Sequence, residues 1–328
     1  MNAAALDREV EVAEESRRSW REALTQGEIQ DLQRMQDWRS WWTLAVNWGL
    51  VFASFALVSW RPNPITILIA LFVIGARQLG FAVLMHDASH YTLFSGKKLN
   101  DWVGNWLGAY PIWGDLRPYR PYHLQHHAHT WTDKDPDVSL AMPFPITKES
   151  FRRKVWRDLS GQTGWKRARF TVKRDMGWSQ GKVQRGKRAG PRKLVPVLIT
   201  NAALLAILTA FGHPTLYMLW VVAWLTTYSL VMRIRAIAEH SMVPDPSNEL
   251  THTRTTLASW WERLLIAPNA VNFHLEHHLN MRVPHYHLAR MHSMLDERGV
   301  LKQALVAPSY AAVLREASSK HVAAGLEP

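Results

Sequence analysis

A chain of 328 residues, 47% of them hydrophobic and with a formal net charge of +12, has the size of one large domain or two and an ordinary apolar content. It contains no cysteine, which excludes disulfides and any iron–sulfur cluster held by its own thiolates. The distribution says more than the mean, because apolar residues gather at 41–85 and 194–232 while the flanking segments carry the charge, the pattern of a chain that crosses a membrane.

In chain order, residues 1–40 are too acidic and too polar for a signal or transit peptide and are expected to form a cytoplasmic helical lead-in. "WWTLAVNWGLVFASFALVSW" (41–60) has no charged residue and "PITILIALFVIGARQLGFAVLM" (64–85) only Arg77; each has the ~20 residues a helix needs to cross a bilayer. "HDASH" (86–90) follows at once. "YRPYHLQHHAHTWTDKDPD" (119–137) then packs four histidines, His123, His126, His127 and His129, beside Asp133, Asp135 and Asp137. After the basic segment 148–193, the uncharged stretches 194–212 and 214–232 predict a second membrane hairpin, followed by "AEH" (238–240) and "NFHLEHHL" (272–279). Residues 41–290 are read as one membrane domain and 291–328 as a cytoplasmic tail. Two hairpins buried in a soluble fold are the alternative, opposed by their uncharged length.

Loop charge orients the spans. The turns at 61–64 and 212–214 hold one arginine, whereas 148–193 holds sixteen Lys or Arg against Glu149, Asp158 and Asp175. Positive residues stay on the cytoplasmic side, so both hairpins should enter from the cytoplasm and return to it, leaving both termini there. The expected fold is an all-α integral membrane protein of four spans under a cytoplasmic helical cap. The basic loop adjoins spans and matches no nucleic-acid-binding motif; it is read as facing anionic lipid headgroups, with no nucleic-acid partner. Trp41, Trp42, Trp60 and Trp220 stand near span ends, as interfacial anchors do.

The histidine spacing can be tested against a helix of about 100° per residue. His86 and His90 lie one turn apart on one face. In a His-x-x-His-His array the second and third rings fall at about −60° and +40° from the first, so His123, His126 and His127 share a broad face, as do His274, His277 and His278. His129 points away and is expected in a supporting or structural role. If the second and fourth spans continue past the membrane surface, His86, His90 and His240 emerge at similar heights, where both arrays can fold over them. Nine imidazoles are too many for one metal and suit two, and an all-nitrogen set suits Fe, Zn or Cu rather than Mg or Ca.

"HDASH", "HLQHH" and "HLEHH", in this order and with the "RAIAEH" context of His240, resemble the membrane fatty acid desaturase superfamily, including its hydroxylase and ketolase branches. The resemblance covers about residues 75–290. It implies a helical membrane fold with a cytoplasmic cap, a non-haem centre of two Fe ions, O2 as co-substrate, and electrons from a separate protein of ferredoxin or cytochrome b5 type, since no attached haem domain is visible. A proline often found three positions after the last His pair is replaced by Met281, with Pro284 retained.

An unactivated methylene has no acidic proton for a base to remove, which is the reason for metals and O2. Loss of two hydrogens gives an alkene and insertion of oxygen an alcohol, and ligand spacing does not choose between them. The leading expectation is a lipid acyl desaturase. A hydroxylase or ketolase acting on a carotenoid, sphingolipid or smaller substrate is the alternative, and a non-enzymatic zinc-binding membrane protein a remote one. Asp87, Glu239 and Glu276, off the ligand faces, are expected to orient imidazole N–H groups or to tie the cap together, and the "DKDPD" run to cap helices.

Overall fold

A computed structural model describes residues 20–141, 143–176, 178 and 190–320. Among the described residues, three helices are long and apolar enough to cross a membrane: α2 (Asp37–Trp60), α3 (Pro64–Ser89) and the run Pro214–His240. A short helix α1 (Gln26–Gln33) precedes them. The connection between α2 and α3 is set locally, since Asn63 Oδ1 accepts from the backbone N–H groups of Ile65 (3.0 Å) and Thr66 (3.1 Å) and Pro64 opens α3 with its φ already helical.

The first expected span starts four residues early, at Asp37, and the second runs on to Ser89, so the first four residues of "HDASH" belong to the helix itself and His90 is its C-cap. Helix α3 is the central element. From Ile74 to Ser89 every side chain except Ala82 is buried, the mark of a helix enclosed on all sides. Beyond it come α4 (Leu116–His129), α5 (Lys148–Leu159), α6 (Gln162–Asp175) and α7 (Leu194–Ala210). The expected third span is this α7, whose 17 residues make only about 25 Å at ~1.5 Å per residue, short of a ~30 Å hydrocarbon core.

The expected fourth span lies within the run Pro214–His240. It divides at Thr226 into α8 (Tyr217–Leu225) and α9 (Thr227–His240). Two hydroxyls explain the break without proline or glycine: Thr226 Oγ1 donates to Val222 O (2.6 Å), and Thr227 Oγ1, 3.3 Å from Ala223 O one turn back, donates more closely to Leu71 O on α3 (2.6 Å). Gly75 makes that approach possible, because a Cβ there would stand 2.2 Å from Thr227 Oγ1.

Of the basic segment, Lys182, Arg185, Lys187 and Arg188 lie outside the described residues. Within the rest, Asp158 on α5 is fully buried and accepts from Arg233 Nε (2.5 Å) and Nη2 (2.9 Å) on α9. Arg167 on α6 donates to Ser229 Oγ (3.1 Å) and to Trp224 O, its guanidinium lying 4.4 Å from the Trp224 ring and 4.7 Å from that of Tyr228. Asp158 and Arg167 thus tie the helical pair α5–α6 to the broken run 214–240.

The remaining chain closes over the ends of α3 and α9. A parallel pairing of β1 (Thr255–Thr256) with β2 (Val306–Ala307) brackets α10 (His274–Leu279) and α11 (His285–Glu297), and α12 (Tyr310–Ala317) adds Tyr310, Val313 and Ala317 to the main core. Leu32 of α1, with Trp20 and Leu24, packs on Leu288, Met291 and Leu295 of α11 in a second, smaller core.

Candidate metal centre

Four places far apart in sequence supply the histidines. His86 and His90 stand at the end of α3, His123, His126 and His127 on α4, His240 at the last position of α9, and His274, His277 and His278 on α10. Their rings form two groups. His86, His90, His123, His127 and His277 offer one nitrogen each within 4.8 Å of one another, and His126, His240, His274 and His278 do the same. The groups adjoin, with the rings of His127 and His278 stacked at 4.2 Å.

The two His-x-x-His-His arrays therefore divide, where one shared face each was expected. His123 and His127, one helical turn apart, serve one group while His126 serves the other; on α10, His277 and His278 part in the same way. Adjacent residues on a helix diverge by about 100°, too far for two neighbouring rings to meet one ion while i, i+4 partners also do. A double histidine thus straddles two sites.

Carboxylates hold several of the rings from behind. Asp87 Oδ1 accepts from His86 Nδ1 (3.0 Å), and its Oδ2 from His285 Nδ1 (2.6 Å). Asp135 Oδ1 accepts from His126 Nδ1 (2.8 Å). Glu239 Oε1 lies 3.6 Å from His274 Nδ1 and accepts from Arg235 Nε at 2.6 Å. With Nδ1–H engaged, Nε2 of His86 and His126 keeps its lone pair for the site. Glu276, between two cluster histidines, turns outward, accepting from Thr255 Oγ1 (2.5 Å) and His292 Nδ1 (2.6 Å). It ties α10 to β1 and α11.

The donor set fits metal ions on three counts. First, five of the rings are held neutral: burial, followed by repulsion from neighbouring histidines and arginine, holds His123, His127, His274, His277 and His278 well below the usual histidine range. Second, His86 Nε2, His278 Nε2 and both ring nitrogens of His90 are buried with no hydrogen-bond partner among the described residues, an expensive state for a polar atom without a ligand. Third, Nε2 atoms face one another at 3.0 Å (His123 and His127), 3.0 Å (His127 and His277) and 2.8 Å (His240 and His274). Bonds of about 2.1 Å to one ion at roughly right angles put neighbouring nitrogens about 3 Å apart, the spacing seen.

His129 joins neither group, and its half-buried ring has no hydrogen-bond or ring partner among the described residues. Several contributors escape sequence reasoning. Asp135 sits in the "DKDPD" run expected to cap helices, and it does accept from the N–H groups of Trp131 (2.9 Å) and Asp137 (2.8 Å), yet it also carries His126; its signal was an acidic run beside a histidine array. Arg254, 2% exposed, donates to Ala238 O (3.1 Å) and Met242 O (3.2 Å), closing the end of the helix that presents His240. His285 meets Asp87 across 198 positions, a separation no local pattern reports.

A sequence profile of the family described as "Fatty acid desaturase" matches residues 59–307. The chain is 28% identical over 245 residues to the dihydrorhizobitoxine desaturase of Bradyrhizobium elkanii, covering 69% of this chain and 66% of that protein, just under two thirds of its length. It is 24% identical over 277 residues to the sn-1 oleoyl-lipid 12-desaturase of Arthrospira platensis, covering 76% and 74% of the two chains. To the sn-1 oleoyl-lipid 12-desaturase of Anabaena variabilis it is 25% identical over 290 residues, covering 80% and 78%.

Proposed function

The chain belongs to the fatty acid desaturase family, and from that premise we propose that it is an O2-dependent di-iron desaturase that places a double bond in the acyl chain of a lipid. The observation that carries the reading is the division of nine imidazoles into adjoining groups of five and four. Such all-nitrogen sets accept Fe, Zn or Cu, and zinc has no redox chemistry. When bound, two irons supply the oxidation that a C–H bond without an acidic proton requires. The protein's own part is to hold the rings in place, with Asp87, Asp135 and Glu239 behind His86, His126 and His274 and Glu276 securing α10.

In each turnover the substrate loses two hydrogens, and O2, with two electrons and two protons from a donor, leaves as two waters. The chain has no cysteine to hold an iron–sulfur cluster of its own, and the proposed electron donor is a separate protein of ferredoxin or cytochrome b5 type. The histidine end of α3 and α9 faces the cytoplasm, α7 serves as a fourth membrane-embedded helix, and both termini lie on the cytoplasmic side, an orientation supported by the basic balance of 148–193. On this reading residues 41–290 form the membrane domain.

A second reading, the same dehydrogenation on a smaller molecule, is favoured by the match to dihydrorhizobitoxine desaturase. Mass spectrometry of total lipids and of small-molecule extracts, from a host that supplies a donor and expresses the chain, separates the two. The expected product is an acyl chain lighter by two hydrogens, free or headgroup-linked, formed only with O2. A product heavier by one oxygen would move the chain to a hydroxylase role, and turnover without O2 would defeat the assignment.

A further inference from the structure

The two histidine groups are unequal, five imidazoles against four, and a tenth imidazole stands beside the smaller one. The ring of His252 lies edge-on to His278 with centroids 5.6 Å apart. Its Nε2 is buried and has no hydrogen-bond partner among the described residues. A polar atom in that condition is stable only if something polar, such as water or an ion, meets it.

His252 is held by the same framework that holds the four-histidine group. Trp131 Nε1 donates to His252 O (2.8 Å), the Trp131 N–H donates to Asp135 Oδ2 (2.9 Å), and Asp135 Oδ1 accepts from His126 Nδ1 (2.8 Å). On the other side, the His252 N–H donates to Asn248 O (2.9 Å), and two residues on, the Arg254 N–H donates to Glu239 O (2.9 Å), next to His240. The imidazole is thus positioned from the backbone of two ligand-bearing segments.

Its nitrogens fall outside the set that lies within 4.8 Å of one another. A bond of about 2.1 Å to an ion shared with those four would require the ring to move. One water between them asks for less movement, since a metal–oxygen distance of about 2.1 Å followed by a hydrogen bond of about 2.8 Å reaches farther from the ion than a direct bond. We propose that His252 serves the four-histidine site as its fifth polar group, acting through one intervening water rather than as a direct ligand.

This rests on the two-metal reading, and the test keeps the two apart. The full chain, purified in detergent and loaded with iron, is assayed for metals per chain and for the rate at which each is lost to a chelator. His252→Phe should retain two metals and release one of them about 10–100-fold faster, the usual effect of losing a supporting group behind a metal ligand. The other metal should leave at the parental rate, which a general loosening of the fold would not allow. His252→Gln, which keeps a donor and an acceptor, should restore the parental rate, and His252→Met carries the same test as Phe if the larger ring does not fit. Release unchanged in both Phe and Met variants overturns the proposal, as does a Phe or Met variant holding a single metal, which would make His252 a direct ligand. A parent chain with fewer than two metals would overturn the two-metal reading itself.

Discussion

Replacing Asp87 by Asn isolates what a carboxylate behind a ligand contributes. Asp87 is 5% exposed, and its two oxygens accept from His86 Nδ1 at 3.0 Å and His285 Nδ1 at 2.6 Å. Asparagine keeps the shape and one acceptor but turns an NH2 toward one of the two rings. A donor then meets a donor, and that imidazole must rotate or carry its proton on Nε2. If the ring is His86, the buried Nε2 that faces no protein partner no longer offers a lone pair. A hydrogen bond to a charged group is worth about 1.5–3 kcal/mol, and losing the support of a ligating imidazole typically costs 10–100-fold in metal affinity, about 1.4–2.7 kcal/mol. The two estimates agree. His285 Nε2 also meets Thr43 Oγ1 at 3.0 Å, so the carboxylate joins α2, α3 and α11, and a fall of about 3 kcal/mol in stability should accompany the metal loss. The assay is metal content after dialysis against graded chelator, with thermal melting in detergent. The five-histidine site should empty first while the four-histidine site holds. An Asp87→Asn protein that keeps both metals at parental affinity, when His86→Ala loses one, would refute the argument.

Three further outcomes follow from the geometry. His129→Ala should keep both metals whereas His126→Ala should lose the one held by the four-histidine group, as counted by elemental analysis; equal losses would contradict the grouping. Gly164→Ala should lower the melting temperature by the equivalent of about 1–3 kcal/mol or more, because its Cβ would stand 2.1 Å from Leu225 O and 2.5 Å from Leu225 Cα, backbone that cannot swing aside; an unchanged melt would contradict the docking of α6 on α8. The metal-free chain should lose stability as pH falls. Burial keeps five cap histidines neutral, with pKa below the unfolded value, so below about pH 6.5 the unfolded chain binds more protons. Each such ring then costs up to about 1.4 kcal/mol per pH unit; melting temperatures flat between about pH 8 and pH 5.5 would show that the rings are not buried as neutral bases.

Sequence periodicity leads to eight of the nine histidines because helical spacing is local: His123 and His127 meet through a single turn of α4, and His86 and His90 through the last turn of α3. It did not disclose which ring joins which site. That depends on how α4 and α10 face each other across 150 residues, as in the 3.0 Å approach of His127 to His277. The break at Thr226 was equally hidden, since its cause is a hydroxyl of Thr227 bonding to Leu71 on another helix, with neither glycine nor proline to mark it. His240, a single histidine, was legible only from its place at the end of a span.

The acidic residues inside the arrays take their meaning from the same division. A helix that sends adjacent histidines to different groups cannot rely on the packing of one face, so the orientation of the rings has to be fixed from outside the groups. Asp87 and Asp135 do this for one ring in each group. Glu276 does it for a whole helix, since α10 is only six residues long and too short to be stable by its own hydrogen bonds. Its carboxylate, fully buried and bonded to Thr255 and His292, pins the segment that sends His277 to one group and His274 and His278 to the other. Glu276→Gln should therefore weaken both metal sites together, whereas Asp87→Asn weakens one. Chelator titration of the two proteins distinguishes these cases, and selective loss at a single site in Glu276→Gln would show that α10 is held by something other than this carboxylate.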